Sequence, residues 1–264
     1  MNLTIIRASS LPELFDCPAR WEAKHIRRMR LPSSSNAALG KAVHAGTALF
    51  DSKRLEGSPI SVDDAAGAVV DSIYRPDEDI DWGDDRPQEA ESVALALHGM
   101  YCRQIAPKQD YVAVEATCDR LEITDIGIAL TGTTDRVVKT STGYGIADIK
   151  TGKNAVSADG LVKTQGHAAQ MAVYELLAEH STGVPMDAPA QIIGLQVAKT
   201  DKGRRAGIGT ITGGRELLLG DAETPGLLEH AAALLKNGLF PGNPRSMMCD
   251  KKYCPAHERC KWRR

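Results

Sequence analysis

The sequence contains no apolar run of about eighteen residues, the length that a helix needs to cross a bilayer. Its first residues, Met1-Asn2-Leu3-Thr4, lack the charged flank and the long apolar stretch of a secretory signal. We therefore expect no membrane anchor and no secretion, which leaves a cytoplasmic, intracellular protein. In such a compartment the six cysteines indicate metal binding or catalysis before disulfides.

An excess of positive charge is also lacking, since 32 lysines and arginines are set against 34 aspartates and glutamates, for a formal net charge of -2. No global positive field therefore draws the protein to nucleic acid. Local contacts would depend on three basic clusters, with Trp21 or Trp262 available to stack on a base. The clusters are Lys24 to Arg30, Lys199 to Arg205 and Lys261 to Arg264. Solvated surface charge is the competing interpretation for each of them.

No G-x-x-x-x-G-K-[S/T] phosphate loop occurs, because Thr151-Gly152-Lys153-Asn154 lacks the first glycine and the final hydroxyl residue. A built-in ATP-driven motor is therefore excluded. Internal repeats and low-complexity tracts are also missing. The 264 residues, 42% hydrophobic and 25% charged, are typical of one globular domain, so we predict a single domain over residues 1–264.

Hydrophobic periodicity and turn residues predict alternating helices and strands. Ser10-Leu11-Pro12-Glu13 reads as a capping box that opens the first helix, and Asp77 to Asp85 reads as a solvated loop. The predicted helices cover about 10–26, 38–53, 62–73, 89–105, 162–179 and 223–236. The predicted strands cover 111–119, 126–130, 133–139, 144–150, 191–199 and 208–211, the first four as an antiparallel meander. This order predicts an α/β fold with a central mixed sheet flanked by helices.

The sharpest local feature is Asp148-Ile149-Lys150, preceded by Asp135. Residues two apart in a strand share a face, so Asp148 and Lys150 point the same way. A hairpin that turns symmetrically around Ser141-Thr142 places Asp135 opposite Asp148. Mg²⁺ or Mn²⁺ prefers carboxylate and carbonyl oxygens, which Asp135, Asp148 and the Ile149 main chain supply, and Lys150 would position an attacking water. A surface hairpin with alternating charges is the alternative.

Two further signals precede and follow this trio. Gly40 to His44 places a histidine on a predicted helix, where it could complete a metal shell, although a lone histidine is commonly a surface or core residue. Gln170 and Tyr174 are four residues apart on a predicted helix and share a face, where they could hold a nucleotide or the lysine. A simple contact on the helix surface is the alternative for that pair.

Four cysteines join the two ends of the sequence. Cys17 lies in the first helix, and Cys249, Cys254 and Cys260 lie near the last residue. Four thiolates can hold a [4Fe–4S] cluster or a tetrahedral zinc ion, and His257 could replace Cys17 in the zinc case. We expect a structural role that connects about 10–30 with 245–264, and we interpret Cys102 and Cys118 as packing residues.

This combination resembles the RecB-like branch of the PD-(D/E)XK nucleases, including CRISPR-associated RecB-like exonucleases and AddAB-type nuclease domains. The matching residues run in the family's order and are Cys17-Pro18, Gly40 to His44, Gly132 to Asp135, Asp148 to Lys150, Gln170 to Tyr174, and Cys249, Cys254 and Cys260. The resemblance implies a restriction-endonuclease-like core, with metal ligands at His44, Asp135 and Asp148 and a catalytic Lys150. It also implies Gln170 and Tyr174 near the site and a [4Fe–4S] cluster rather than zinc.

The leading hypothesis from the sequence is a Mg²⁺- or Mn²⁺-dependent DNA exonuclease that acts on single strands or ends in recombination, repair or CRISPR adaptation. Because no motor is encoded, strand separation would need a helicase or another partner protein. The resemblance implies a prokaryotic, archaeal or phage protein, and it leaves an oligomer open. The alternative from another class is a non-catalytic DNA-binding or assembly subunit stabilised by the cysteine site.

Overall fold

The computed structural model describes residues 3–263, so Met1, Asn2 and Arg264, the last residue of the third basic cluster, lie outside the described residues. The α-helices within them are α1 (Leu11–Asp16), α2 (Pro18–Trp21), α3 (Ser35–Leu55), α4 (Val62–Tyr74), α5 (Pro87–Gln104), α6 (Ala168–Thr182), α7 (Gly214–Leu219) and α8 (Leu227–Lys236). The strands are β1 (Thr4–Arg7), β2 (Ser33–Ser34), β3 (Ile80–Asp81), β4 (Asp110–Thr117), β5 (Leu121–Ile123), β6 (Ile128–Thr131), β7 (Thr133–Thr140), β8 (Gly143–Gly152), β9 (Ala190–Gln196) and β10 (Ala206–Ile211). None of the helices in this part of the chain is long and apolar enough to cross a membrane.

The central element is a mixed sheet of five strands in the order β10-β9-β8-β7-β4. β8 and β9 run parallel, and the other neighbours are antiparallel. Thr140 pairs with Gly143, so Ser141 and Thr142 form the turn between β7 and β8, as the sequence predicted. The predicted α/β architecture with a mixed sheet and flanking helices is confirmed.

Helices cover both faces of this sheet because residues alternate between the faces along each strand. Val138 and Ile149 pack with α3, α4 and α5 on one face. Val137 and Ile146 pack with α1, α6 and α8 on the other. Each strand of the β7–β8 hairpin is thus buried on both sides, which fixes which side chains can reach a common site.

A second sheet contains β1, β6 and β5 and corrects the predicted single meander. The segment predicted as strand 126–130 does not join the large sheet. It pairs with β5 and, in parallel, with β1. The meander prediction was wrong because β6 finds a partner from the distant start of the chain. Its residues Ile128 and Leu130 still enter the core that contains α6.

The first predicted helix is interrupted at Cys17, which is extended with φ of -151°. Proline disfavours helical backbone in the residue before it, and Pro18 follows here. The segment therefore divides into α1, α2 and a π-helical turn over Glu22–Ile26. Ser10 makes no cap and instead donates its hydroxyl to the Arg7 carbonyl, so the predicted capping box was wrong.

Three other predicted boundaries also change. Helix α3 starts at Ser35, three residues early, because Ser34 caps it by accepting from the Ala37 amide. Helix α6 starts late, since Gly166 has a φ of +88° that a helix cannot include. The residues before it form a hairpin in which Val156 bridges Val162. Helix α8 likewise starts only at Leu227.

Candidate metal centre

Three carboxylates form a row across three adjacent strands of the large sheet. The bridges on either side of Glu115 in β4 place it opposite Asp135 in β7. The pairing of Arg136 with Ala147, continued by one residue, places Asp135 opposite Asp148 in β8. Directly opposed residues of antiparallel strands are close neighbours on one face. The row therefore concentrates three acidic groups in one place.

His44 comes to this row from helix α3. Its Nε2 lies 2.8 Å from the Ile149 carbonyl oxygen, and its Nδ1 lies 3.3 Å from Oδ2 of Asp135. A carbonyl oxygen only accepts, so Nε2 carries the hydrogen. In the neutral ring Nδ1 then presents a lone pair to a carboxylate oxygen. That contact requires either a proton on Nδ1, which would then be donated to the carboxylate, or a cation beside the two atoms.

A divalent cation fits these groups. The nearest ligand atoms of His44, Glu115 and Asp135 all lie within 4.8 Å of one another. Adjacent ligands around an octahedral ion with bonds of 2.0–2.1 Å lie about 3 Å apart, close to the separation of Nδ1 and Oδ2. Histidines that bind metals commonly donate their other ring N–H to a backbone carbonyl, as His44 does to Ile149. That carbonyl keeps its second lone pair, so its role as a ligand stays a prediction.

Glu115 is a site residue that sequence reasoning missed. Its backbone is left-handed, with φ of +47°, and its side chain is 44% exposed. Burial and the Asp135 carboxylate raise its pKa, while Arg136 acts in the other direction. A tight turn fixed the β7–β8 register, but β4 pairs with β7 across two intervening strands. The one available signal was an acidic residue in a predicted strand, which is too common to select.

Asp148 and Lys150 form the deeper part of the site. Lys150 Nζ lies 2.7 Å from Asp148 Oδ2, and the Asp148 side chain is 2% exposed whereas that of Lys150 is 30% exposed. Burial, and then the Asp135 carboxylate, raise the pKa of Asp148 to about 6, while Lys150 lowers it. The shared face that the sequence predicted thus brings a buried carboxylate and a partly exposed ammonium together beside Asp135.

Gln170 and Tyr174 lie next to this centre on α6. The Gln170 amide donates to the Tyr174 hydroxyl over 3.2 Å, and both residues are buried. Burial raises the pKa of Tyr174, and the carboxylates of the row raise it further. A Cβ on Gly132 would come within 2.9 Å of the Tyr174 ring. The glycine three residues before Asp135 therefore makes room for the tyrosine, and the roles of the pair in catalysis stay predictions.

The four predicted cysteines line one cavity, formed between the first helices and the C-terminal segment. The cavity is lined by Cys17, Cys249, Cys254 and Cys260 together with His257. The backbone N–H of Asn243 donates to Cys17 Sγ over 3.4 Å. Burial raises the pKa of the Cys254 thiol. Cys102 is buried as predicted, and Cys118 is half-buried; neither lines this cavity.

The spacing of these thiols is wider than one zinc ion takes. Tetrahedral zinc with Zn–S bonds of about 2.3 Å holds its sulfurs about 3.8 Å apart. Within residues 3–263, no three of these cysteine and histidine side chains bring their ligand atoms within 4.8 Å of one another. His257 Nδ1 is buried there and has no hydrogen-bond partner among residues 3–263.

The basic clusters differ in how they present their charge. Arg27, Arg28 and Arg30 are exposed, whereas Lys24 is tied to Glu13 over 2.9 Å. Trp262 is 43% exposed. Trp21 is only 1% exposed and stacks on Phe240, so the prediction that it is available to a base was wrong. The indole ring is buried instead in the hydrophobic core, where α1 and Phe240 pack against it.

The chain is similar to known proteins in two comparisons. The model of the PD-(D/E)XK nuclease superfamily matches residues 7–261. The crystal structure of SSO0001 is similar to the chain with 13% sequence identity and a TM-score of 0.42, over 98% of this chain and 86% of that one. No curated protein matches the chain.

Proposed function

The chain belongs to the PD-(D/E)XK nuclease superfamily, and on that premise we propose that it is a divalent-metal-dependent deoxyribonuclease of the RecB-like branch. The observation that carries the proposal is the convergence of His44, Glu115 and Asp135, whose ligand atoms all lie within 4.8 Å of one another. A histidine and carboxylates gathered in one place form a donor set that suits Mg²⁺ or Mn²⁺. Its substrate would be DNA, attacked at single strands or ends.

The residues would divide the work as follows. Asp135, Asp148, His44 and Glu115 would hold Mg²⁺ or Mn²⁺, an ion that offsets phosphoryl charge and makes water more acidic. Lys150 would orient the attacking water and stabilise developing negative charge, since its ammonium is partly exposed beside buried Asp148. Gln170 and Tyr174 would support Lys150 or the nucleotide from α6.

The cysteine cavity supports a [4Fe–4S] cluster as the second cofactor. Four thiols surround one cavity, and their spacing exceeds that of a zinc site. Exposed Arg27, Arg28 and Arg30 follow α2 closely, so this module would present positive charge to the phosphate backbone. Iron and sulfide analysis tests the assignment, and stoichiometric zinc in a colourless protein would overturn it.

The deciding experiment is digestion of end-labelled single- and double-stranded DNA with Mg²⁺ or Mn²⁺. We expect Asp148→Ala and Lys150→Ala to lose activity by at least about a hundredfold, because each removes a group near the reacting phosphate. Asp125→Ala, an exposed acidic residue in the β5–β6 turn, is the matched control. Full activity in both active-site variants would identify a contaminating nuclease and end the proposal. Early release of the terminal label distinguishes exonuclease from endonuclease action.

A further inference from the structure

A completely buried arginine lies directly behind the row of carboxylates. Arg136 follows Asp135 in β7, and its side chain is 0% exposed. Its Nη1 donates to the Asp135 carbonyl oxygen over 2.7 Å and lies 3.4 Å from Glu115 Oε1. A buried guanidinium is costly unless anionic and polar partners surround it. Here two of those partners belong to residues of the metal centre.

The third partner connects the arginine to the helix that carries His44. Arg136 Nε donates to Oδ2 of Asp51 over 2.9 Å. Asp51 is seven residues after His44 on α3, so two helical turns place both on one face. Asp51 also accepts from the Tyr101 hydroxyl, which contacts the Tyr111 hydroxyl over 3.0 Å. The network is therefore anchored in α5 and β4 as well.

We propose that Arg136 is the positioning residue of the metal centre. One guanidinium sets the backbone at Asp135, restrains the carboxylate of Glu115, and holds the face of α3 from which His44 reaches the site. This role rests on the proposed function, because it concerns the geometry of the same cation site. Because its side chain is completely buried, Arg136 would act on the ion only through the residues that it contacts.

The direction in which metal affinity changes when Arg136 is replaced separates a positioning role from a simple effect of its charge. A positive group near a divalent cation repels it, so removal of the charge alone would tighten metal binding. Removal of a positioning group would loosen metal binding, because the ligands lose their preformed arrangement. A residue that serves only the stability of the fold would leave the affinity of the folded fraction unchanged. Arg136→Lys keeps the positive charge, so a change in its metal affinity reports positioning without the loss of charge.

The experiment is titration of the DNA-free protein with Mn²⁺, with free Mn²⁺ followed by electron paramagnetic resonance. We expect Arg136→Met and Arg136→Lys each to weaken binding at least tenfold, since lysine keeps the charge but loses the planar set of donors. Leu97→Ala is the control for lost stability, because Leu97 is fully buried in α5 outside the network. Affinity equal to or tighter than that of the wild type in the arginine variants would overturn the proposal.

A double variant covers the case in which Arg136→Met does not fold. Asp51→Leu with Arg136→Met removes both members of the buried ion pair, a replacement that folded proteins tolerate better than loss of one member. We expect a folded protein with weak Mn²⁺ binding, and wild-type affinity would contradict positioning. Asp135→Asn tests the proposed metal centre separately. If this variant binds Mn²⁺ as the wild type does, the proposed metal centre is wrong. If only the arginine variants bind normally, this inference alone fails.

Discussion

Asp135 Oδ2 makes two contacts that fix its position in the absence of an ion. It accepts the Ile149 amide hydrogen over 2.8 Å, and it faces His44 Nδ1. The hydrogen bond fixes the carboxylate to the neighbouring strand, so the oxygen cannot rotate away from the histidine. His44 is held in the same way by the Ile149 carbonyl. The backbone of one residue therefore orients two of the proposed ligands, which favours a preorganised centre.

Glu115→Gln tests the residue that the structure added to the site. We expect Mn²⁺ binding about tenfold weaker, a loss of ~1.4 kcal/mol, because a hard cation exchanges a carboxylate for a neutral amide. Without metal, the melting temperature should not fall, since burial and Asp135 already disfavour the charged form of Glu115 and raise its pKa. Calorimetric titration and thermal melting with and without Mn²⁺ measure both effects.

Glu122→Gln is the matched control, because Glu122 is an exposed glutamate in β5 that pairs with Arg120 away from the centre. It should leave Mn²⁺ binding unchanged. If both glutamine variants bound Mn²⁺ as the wild type does, Glu115 would be a neighbour of the centre and not a ligand. A lower metal-free melting temperature for Glu115→Gln alone would point to a structural ion pair with Arg136.

At the scale of elements, the carboxylate of Glu13 joins α1 to the residues that follow it. Glu13 lies 3.0 Å from Arg20, 2.9 Å from Lys24 and 3.6 Å from His25, and its side chain is 13% exposed. Burial raises its pKa, but the nearby His25 ring, the hydrogen bond from Lys24 and the charges of Lys24 and Arg20 outweigh it and lower the pKa to about 2. Glu13 thus holds α2 and the π-helical turn against α1.

Glu13→Gln should lower the free energy of unfolding by about 2 kcal/mol at neutral pH, after discounting for solvent around Lys24. The pKa of Glu13 is lower in the folded chain, so its contribution is complete above the unfolded value of 4.5 and is lost as the pH falls toward about 2. The wild type and the variant should therefore converge in acid. Urea unfolding across this pH range measures the difference, and a gap that persists below pH 2 would contradict the assignment.

The elements of the large sheet differ in how well the sequence predicts their pairing. The β7–β8 hairpin was predictable with its register because the turn is short and both strands alternate clearly. Pairing of β4 with β7 was not, since no local turn specifies a contact across two intervening strands. The break at Cys17 was visible in the following proline, yet helical periodicity on both sides outweighed it. Thus Asp135 and Asp148 could be paired from the sequence, and Glu115 could not.

At the scale of the whole molecule, the two ends of the described chain are joined around the cysteine cavity. The Asn243 side-chain amide donates to the Asp16 carbonyl over 3.0 Å, and the Ser246 hydroxyl donates to the Asp16 carboxylate over 2.7 Å. The Ala19 amide donates to the Pro241 carbonyl. Cysteine order in the sequence predicted that the ends meet, whereas these polar contacts depend on loop geometry that no pattern encodes.

Cys17→Ser tests whether a cofactor bound by the cysteines links the N-terminal helices to the C-terminal segment. A cross-link between Cys17 and Cys249 closes a loop that spans most of the chain, and loop-closure entropy makes that worth on the order of 5 kcal/mol. We expect loss of iron and a melting temperature lower by roughly 10–20 °C. Hydrogen exchange should accelerate over residues 245–263 and over α1, while the β7–β8 hairpin stays protected.

Cys118→Ser is the control, since that half-buried thiol lies outside the cavity and should change neither iron content nor exchange in the C-terminal segment. The proposed metal centre lies on the large sheet, so DNA-free Mn²⁺ affinity should survive Cys17→Ser wherever the protein remains folded. Iron loss without faster exchange at the C-terminal segment would mean that the hydrogen bonds to Asp16 already hold the ends together. The cofactor would then serve another purpose than closing the chain.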